Sequence, residues 1–175
     1  MKKSLFVACA LSVLTLPAFA NGFYVAGDLG QAKWSIDSDS ETDTAVAIAG
    51  GYKLNDTFSF ELGYRDLGGL EESYDGETIG VDLTAMQLSV LANYALNDAV
   101  SVYGRLGFAD MKLEVSYDDG EYSDSASTSE TKAVFGVGGR YAVSQKLGLH
   151  IEYNQYAKFE DMTVSAMLVG FDYQF

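Results

Sequence analysis

The chain has 175 residues and carries 25 acidic against 11 basic side chains, a formal net charge of −14. So acidic a chain is poorly suited to bind nucleic acid, whose phosphates attract lysine and arginine. The sequence also has no apolar run of about 18 residues, which a transmembrane helix requires, so any membrane span must be made of strands.

The first 20 residues have the three parts of a secretory signal peptide. Lys2 and Lys3 form a basic start, an apolar stretch covers 5–16, and Ala18-Phe19-Ala20 is typical of a cleavage site. A lipoprotein interpretation would use Cys9, but cleavage there would bisect the apolar stretch. We therefore predict a signal peptide over 1–20 and a mature domain over 21–175, which has neither cysteine nor proline and a net charge of −16 because 9 basic residues remain.

Three similar segments predict repeated strand–turn–strand units. Their sequences are GYKLNDTFS at 51–59, NYALNDAVS at 93–101 and RYAVSQKLG at 140–148. The spacing leaves room for two strands of about ten residues and a longer loop in each repeat. With the first and last segments, the predicted strands are eight: 23–34, 44–54, 57–67, 80–96, 99–114, 131–143, 147–157 and 163–175.

Apolar residues alternate along each predicted strand, and aromatic residues concentrate at both ends of this apolar face. One aromatic group comprises Tyr52, Phe58, Tyr94, Tyr141, Tyr173 and Phe175, and the other comprises Trp34, Tyr64, Phe108 and Phe135. Such pairs of girdles are typical of a barrel in a bilayer, where the last strand must pair with the first. A soluble, lipocalin-like barrel would instead place the apolar face inside.

The opposite face predicts a packed polar core inside the barrel. Its polar members are Asp28, Lys53, Glu61, Arg65, Tyr103, Arg105, Arg140, His150, Glu152 and Asp172. Seven of them are singled out as an interior polar cluster: Asp28, Glu61, Arg65, Arg105, Arg140, His150 and Glu152. Glu61, Arg105, Arg140 and Glu152 allow two hypotheses. The four side chains either neutralise one another inside the barrel or form a gate across a narrow channel. His150 suggests either the base of a lipid-modifying enzyme or a hydrogen-bonded core histidine beside Glu152. No nucleophile is identifiable near it, and no catalytic, cofactor-binding or metal-binding residue is predicted.

The even strand number places both termini and the three tight turns at the periplasmic end. The segments 35–43, 68–79, 115–130 and 158–162 are predicted as outward-facing loops, and the first three contain acids but no bases. Their acidic surface comprises Asp37, Asp39, Glu41, Asp43, Glu71, Glu72, Asp118, Asp119 and Glu121. Such loops favour cationic or divalent-ion contacts and repel polyanions.

The segments Gly50–Asp56, Phe60–Arg65 and Phe171–Phe175 resemble the outer-membrane β-barrel superfamily that includes the OmpA transmembrane domain, OmpX/Ail-type proteins and opacity-type surface proteins. The resemblance implies an all-β, eight-stranded antiparallel up-and-down transmembrane barrel, preceded by a cleaved signal peptide, in the outer membrane of a Gram-negative cell. It also implies that Phe171, Tyr173 and Phe175 form an assembly signal for the barrel-assembly machinery.

These observations predict a small non-enzymatic protein, surrounded by outer-membrane lipid, with a structural or adhesion-type surface role. We expect a monomer without a cofactor. A narrow, low-conductance channel and a lipid-modifying enzyme are the alternatives.

Overall fold

The computed structural model describes residues 22–36, 39–74, 77–118, 123–158 and 162–175. Its eight strands are β1 (Phe23–Ile36), β2 (Asp39–Lys53), β3 (Phe58–Tyr74), β4 (Glu77–Ala95), β5 (Val100–Asp118), β6 (Ser123–Ala142), β7 (Leu147–Tyr156) and β8 (Met162–Gln174). They pair in chain order, and the barrel closes between β1 and β8. The predicted eight-stranded antiparallel barrel is confirmed. The described part of the chain contains no helix with the length and apolarity to traverse a bilayer.

The closing seam pairs β1 with β8 from Tyr24↔Gln174 to Ile36↔Met162. Beyond the last strand, the Phe175 N–H donates to the Phe23 carbonyl at 3.1 Å. Gly170 is needed at this seam because a Cβ there would collide with the Asp28 carboxylate, which crosses β8 on its way into the barrel. The seam therefore leaves neither terminal strand with an open edge over this length.

The three sequence repeats fold as tight turns held by one side chain each. The Asn55 side-chain oxygen accepts from the backbone N–H of Thr57 at 2.9 Å and of Phe58 at 2.8 Å. Asn97 makes the same pair of hydrogen bonds, and the Ser144 hydroxyl makes their counterpart. Short polar side chains that bond to the backbone two and three residues ahead favour turns, which explains the repeated pattern.

At the end opposite these turns, most of the predicted loops are strand. Residues 39–43 belong to β2, 68–74 and 77–79 to β3 and β4, and 115–118 and 123–130 to β5 and β6. The predicted strand ends were wrong because we placed them where apolar alternation stops. Exposed Ser- and Thr-rich segments can still pair, since the ladder is made of backbone hydrogen bonds and β-branched threonine suits a strand.

Pairing at this end is uneven around the barrel. The β2–β3 ladder stops at Val46↔Asp66, and the β6–β7 ladder stops at Val134↔Tyr156. The ladders joining β3, β4, β5 and β6 run on to the ends of those strands, and so do those that join β1 to β2 and to β8. Beyond the two interrupted ladders, β3–β6 therefore form a separate four-stranded sheet; we call it the protruding sheet (residues 67–74, 77–84, 110–118 and 123–132).

The polarity of the inner and outer faces of the barrel wall reverses near the outer end of the lipid-facing belt. On β5, Phe108 points outward at 65% exposure, and the next outward residue is Asp110. On β3, outward Tyr64 is followed by outward Asp66, while inward Arg65 is followed by inward Leu67. Beyond this level the outer face of β5 is polar and its inner face is apolar, the arrangement expected of a wall surrounded by water.

An apolar core fills the barrel at and above that level. It comprises Ala32, Trp34, Ala45, Leu67, Leu83, Ala85, Ala109, Met111, Val134, Tyr156, Met162, Val164, Ala166 and Leu168. The prediction of a polar interior was wrong for this half of the barrel. The girdle position of Trp34 was also wrong, because its side chain is 7% exposed inside the core and its Nε1–H donates to the Leu67 carbonyl at 3.1 Å.

Candidate functional site in the barrel interior and at its outer end

Arg105 is the centre of a buried ion-pair network below the apolar core. Its guanidinium lies 2.5 Å from the Glu61 carboxylate and 2.8 Å from the Glu152 carboxylate. Arg65 also contacts Glu152, at 3.2 Å. The Tyr24 hydroxyl donates to Glu61 at 3.1 Å. Each buried charge therefore has an opposite partner, as a low-dielectric interior requires.

Arg140 and His150 form a second cluster nearer the tight turns. Arg140 donates to both carboxylate oxygens of Asp172, at 2.7 and 2.6 Å. His150 Nε2 lies 2.5 Å from Asp28, and Nδ1 lies 3.7 Å from Asp172. Because Asp28 is on β1 and Asp172 on β8, this cluster crosses the closing seam.

The structure corrects two expected partnerships. Arg140 does not join Glu61, Arg105 and Glu152, since its partner is Asp172. His150 was expected beside Glu152, yet Asp28 and Asp172 are the carboxylates at its ring nitrogens. The cause is stagger: alternation predicts which face a residue occupies, but the partner across the barrel depends on the offset between strands.

A small polar cavity lies between the two clusters, lined in part by Tyr24, Lys53, Asn93 and Tyr103. Its volume of about 50 Å³ suits a few water molecules at most. Above it, the ion-pair network and then the apolar core fill the described interior. A solute that passed through the barrel would therefore have to cross both the ion-pair network and the apolar core.

His150, the base that the enzyme hypothesis would require, lies within the second cluster. Both ring nitrogens of His150 face carboxylates inside the barrel. Within the described ranges, no group of three or more histidine, cysteine or acidic side chains is arranged to hold a metal ion.

The acidic residues predicted on loops occupy several environments. Glu41 is exposed on β2, whereas Asp43 is half-buried and accepts from the backbone N–H of Thr44 and of Gly69, both at 2.7 Å. These two hydrogen bonds lower the pKa of Asp43 below its ordinary value of 3.8. Asp39, Glu71, Glu72 and Asp118 lie on strands, and Asp37, Asp119 and Glu121 lie outside the described residues.

The outer end also contains cations, because the water-exposed part of the wall begins before the predicted loops and includes Lys112 and Lys132. Lys112 pairs with Glu114 at 2.7 Å, and Lys132 pairs with Glu130 at 2.7 Å. Inside the barrel, sequence reasoning missed Gln87, Asn154 and Tyr156, although their inward parity was available as a signal. Uncharged polar residues attract less attention than charges, yet Asn154 donates to Glu152 at 2.6 Å.

The C-terminal aromatic residues lie beside the turn end of the barrel. Phe171 is exposed on the outer face, and the rings of Tyr173 and Phe175 meet edge to face at 5.5 Å. The Lys146 ammonium lies 5.9 Å from the Tyr173 ring centre. Tyr52, Tyr94 and Tyr141 are exposed at the same end, consistent with an interfacial aromatic girdle.

The family model described as "Outer membrane protein beta-barrel domain" matches residues 6–175. The chain belongs to this outer-membrane β-barrel family. Membership confirms the predicted location in the outer membrane of a Gram-negative cell. The outward apolar belt of this family member therefore faces lipid, and the protruding sheet lies on the extracellular side, opposite the short periplasmic turns.

Two curated relatives differ in how much of them the chain spans. It is 27% identical to the attachment invasion locus protein of Yersinia pseudotuberculosis, over 100% of this chain and 98% of that protein. It is 28% identical to outer membrane protein A of Salmonella typhi, over 87% of this chain and 47% of that protein. The chain thus spans about half the length of the outer membrane protein A relatives it matches.

Two solved structures share the fold. Ail of Yersinia pestis, crystallised with the heparin analogue sucrose octasulfate, superposes with a TM-score of 0.67 at 19% identity, covering 88% of this chain and 99% of that one. Neisserial surface protein A superposes with a TM-score of 0.70 at 20% identity, covering 88% of this chain and 97% of that one. At this identity the likeness shows the barrel fold.

Proposed function

We propose that this protein is a non-enzymatic surface-interaction protein of adhesion type, whose recognition surface is the acidic protruding sheet. The observation that carries the proposal is the projection of β3–β6 beyond the lipid-facing belt, with a polar outer face. A barrel that served only to fill the membrane would have no need of strands that continue into water. The name of the Yersinia attachment invasion locus relative supports the same role.

The acidic residues on the outer face of the protruding sheet restrict the kind of partner that this surface can bind. Asp82 and Glu114 are cross-strand neighbours on β4 and β5, and both point outward. Asp66 and Asp110 are exposed close to the lipid boundary. With a mature net charge of −16, the surface favours cationic partners or divalent ions and steers them by long-range attraction. This preference differs from the complex of Ail with a sulfated heparin analogue.

The experiment compares two double variants of the protein in lipid nanodiscs. Asp82→Asn/Glu114→Gln removes two charges from the protruding sheet, and Asp56→Asn/Asp98→Asn removes two from the periplasmic turns. Association with an oligolysine peptide should slow for the first variant, match the unmodified protein for the second, and weaken as salt rises. Cells that display the protein should also adhere to an epithelial monolayer better than the same strain without it.

Equal association rates for the two double variants at low salt would contradict the electrostatic part of the proposal. Tight binding of sucrose octasulfate by the unmodified protein would do so as well. Adhesion that does not depend on display of the protein would remove the adhesion role itself.

A further inference from the structure

A shallow apolar groove crosses the outer wall of the barrel where β4, β5, β6 and β7 lie side by side. Ala92, Gly104 and Gly139 form its floor because they have the smallest side chains, and its sides include Val137 and Ile151. The groove has a volume of about 630 Å³, within the roughly 300–1,000 Å³ of ligand sites in proteins. It is therefore large enough to hold part of a ligand against the wall.

The two glycines on this floor are not explained by packing within the barrel. A Cβ at Gly104 or Gly139 would meet no atom within 4 Å, whereas a Cβ at the inward-facing Gly138 would collide with the Tyr103 ring. Glycine weakens the interior of a strand, since it has no side chain to pack and loses much conformational freedom on folding. A glycine at such a position can mark a place where a ligand approaches the backbone closely.

The groove lies within the part of the wall that faces lipid. On β6, Gly139 lies between Phe135 of the outer girdle and Tyr141 of the periplasmic girdle, and all three face outward. The groove is therefore surrounded by acyl chains. Because the outer face of a closed barrel is convex, an acyl chain elsewhere on it contacts protein along one side only. A chain in the groove also contacts the groove's sides, which adds dispersion contacts.

The two periplasmic turns next to the groove differ in charge. The turn between β6 and β7 contains Lys146, whereas the turn between β4 and β5 contains Asp98. Lys146 is exposed, and its position 5.9 Å from the centre of the Tyr173 ring keeps it beside the wall. None of the ion pairs in the described ranges includes Lys146. A lipid phosphate is therefore attracted to one turn and repelled by the other.

One lipid molecule can reach both Lys146 and the groove. Above the turn, Tyr141 of β6 pairs with Leu149 of β7, and the pair Gly139↔Ile151 follows two residues farther along. At roughly 3.3 Å per residue, β7 rises by about 17 Å from Lys146 to Ile151. The hydrocarbon of one leaflet is about 15 Å thick, half of the roughly 30 Å core. A headgroup at Lys146 therefore places its acyl chains at the level of the groove.

We propose that this groove binds one acyl chain of a phospholipid from the periplasmic leaflet, whose phosphate lies at Lys146. The site is independent of the proposed extracellular function, since it lies at the other end of the barrel. A lipid from the opposite leaflet fits less well, because its headgroup would lie near the exposed Asp66 and Asp110. A second copy of the chain also fits poorly, because the two acidic protruding sheets would repel each other.

The test titrates the full barrel in detergent with dioleoyl phosphatidylglycerol and counts bound lipids by native mass spectrometry. Gly104→Leu/Gly139→Leu fills the groove, and Gly139→Val fills less of it. Gly50→Leu is the matched control, because an added Cβ at this outward-facing glycine of β2 also meets no atom within 4 Å. Lys146→Gln removes the cation, and Lys112→Gln on the protruding sheet is its control. Dioleoylglycerol, which lacks the phosphate, is the control ligand, and heat-modifiable migration checks that each variant is folded.

One phosphatidylglycerol should bind the unmodified barrel and Gly50→Leu about tenfold more tightly than Gly104→Leu/Gly139→Leu, with Gly139→Val in between. Lys146→Gln should weaken binding about fivefold, as expected for one lysine at a membrane surface, and Lys112→Gln should leave it unchanged. Dioleoylglycerol should bind the unmodified barrel about fivefold more weakly than phosphatidylglycerol does.

No bound lipid on the unmodified barrel, or equal binding by the groove variants and Gly50→Leu, would overturn the proposal. Equal effects of the two lysine variants, or equal binding of the two lipids, would overturn the phosphate position at Lys146. A dimer of the unmodified barrel that Gly104→Leu/Gly139→Leu abolishes would overturn the proposal too, since the groove would then hold a second copy.

Discussion

Replacing Arg105 with leucine tests the ion-pair network at its centre. Arg105, Glu61 and Glu152 are each at most 7% exposed. After the substitution, Glu152 keeps Arg65 at 3.2 Å and Asn154 at 2.6 Å, whereas Glu61 keeps the Tyr24 hydroxyl alone. The structure therefore leaves one buried carboxylate without a cation.

Breaking a buried ion pair by removing one partner costs about 3–5 kcal/mol. Because only Glu61 is left unpaired, we expect the free energy of unfolding to fall by about 3 kcal/mol, the lower end of that range. Adding Glu61→Gln to Arg105→Leu should recover at least about 1 kcal/mol, since the unpaired charge is then gone.

Urea unfolding in lipid vesicles measures this loss, with fluorescence of the chain's single tryptophan, Trp34, as the signal. Lys112→Leu is the control, because the Lys112–Glu114 pair is about half exposed and its loss should change stability by less than about 1 kcal/mol. A loss below about 1 kcal/mol for Arg105→Leu, or a double variant no more stable than the single one, would show that Glu61 does not depend on Arg105 for its stability.

Four further results are expected. Planar-bilayer recordings should show almost no conductance for the unmodified protein or for Arg105→Leu, because the apolar core still closes the barrel; a large increase in the variant would favour the gate hypothesis. The stability difference between the unmodified protein and Asp43→Asn should be present above about pH 4 and vanish as the pH falls through the lowered pKa of Asp43, as measured by urea unfolding. Deleting Phe175 should reduce the folded, heat-modifiable fraction in cells, and unchanged assembly would contradict its role as a signal. Intact mass should show a mature chain that begins at Asn21, whereas a lipid-modified Cys9 would contradict the predicted cleavage.

The sequence was sufficient to predict the strand number, the turns and the lipid-facing residues. Repetition of a tyrosine before each turn and strict alternation around residues such as Phe60, Leu62 and Tyr64 carry that information. Alternation predicts which residues share a face, and the two aromatic girdles indicate that the part of this face between the girdles contacts lipid.

The inversion beyond the outer girdle could not be predicted in this way. Alternation places Trp34 and Met111 on the same inner face as Asp28 and Arg105. A prediction from alternation alone therefore extended the polar interior too far toward the outer end. Along each strand, the solvent around the barrel changes from lipid to water. This change can be read from the sequence only by comparing the outward residues with the inward ones at each level. The separate partners of Arg140 and His150 depend on strand stagger, which also has no local sequence signal.

β5 and its neighbours leave the lipid after Phe108 and continue as a sheet in water. A spin-label scan of single-cysteine variants along β5 from 102 to 116, in lipid bilayers, measures where this transition lies. We predict that outward positions are accessible to oxygen through Phe108 and to a water-soluble nickel reagent from Asp110 onward, with inward positions 109 and 111 protected from both. Oxygen accessibility that continues outward to 116 would instead place the whole of β5 in lipid, and nickel access at 109 and 111 would show that the apolar core does not close the barrel.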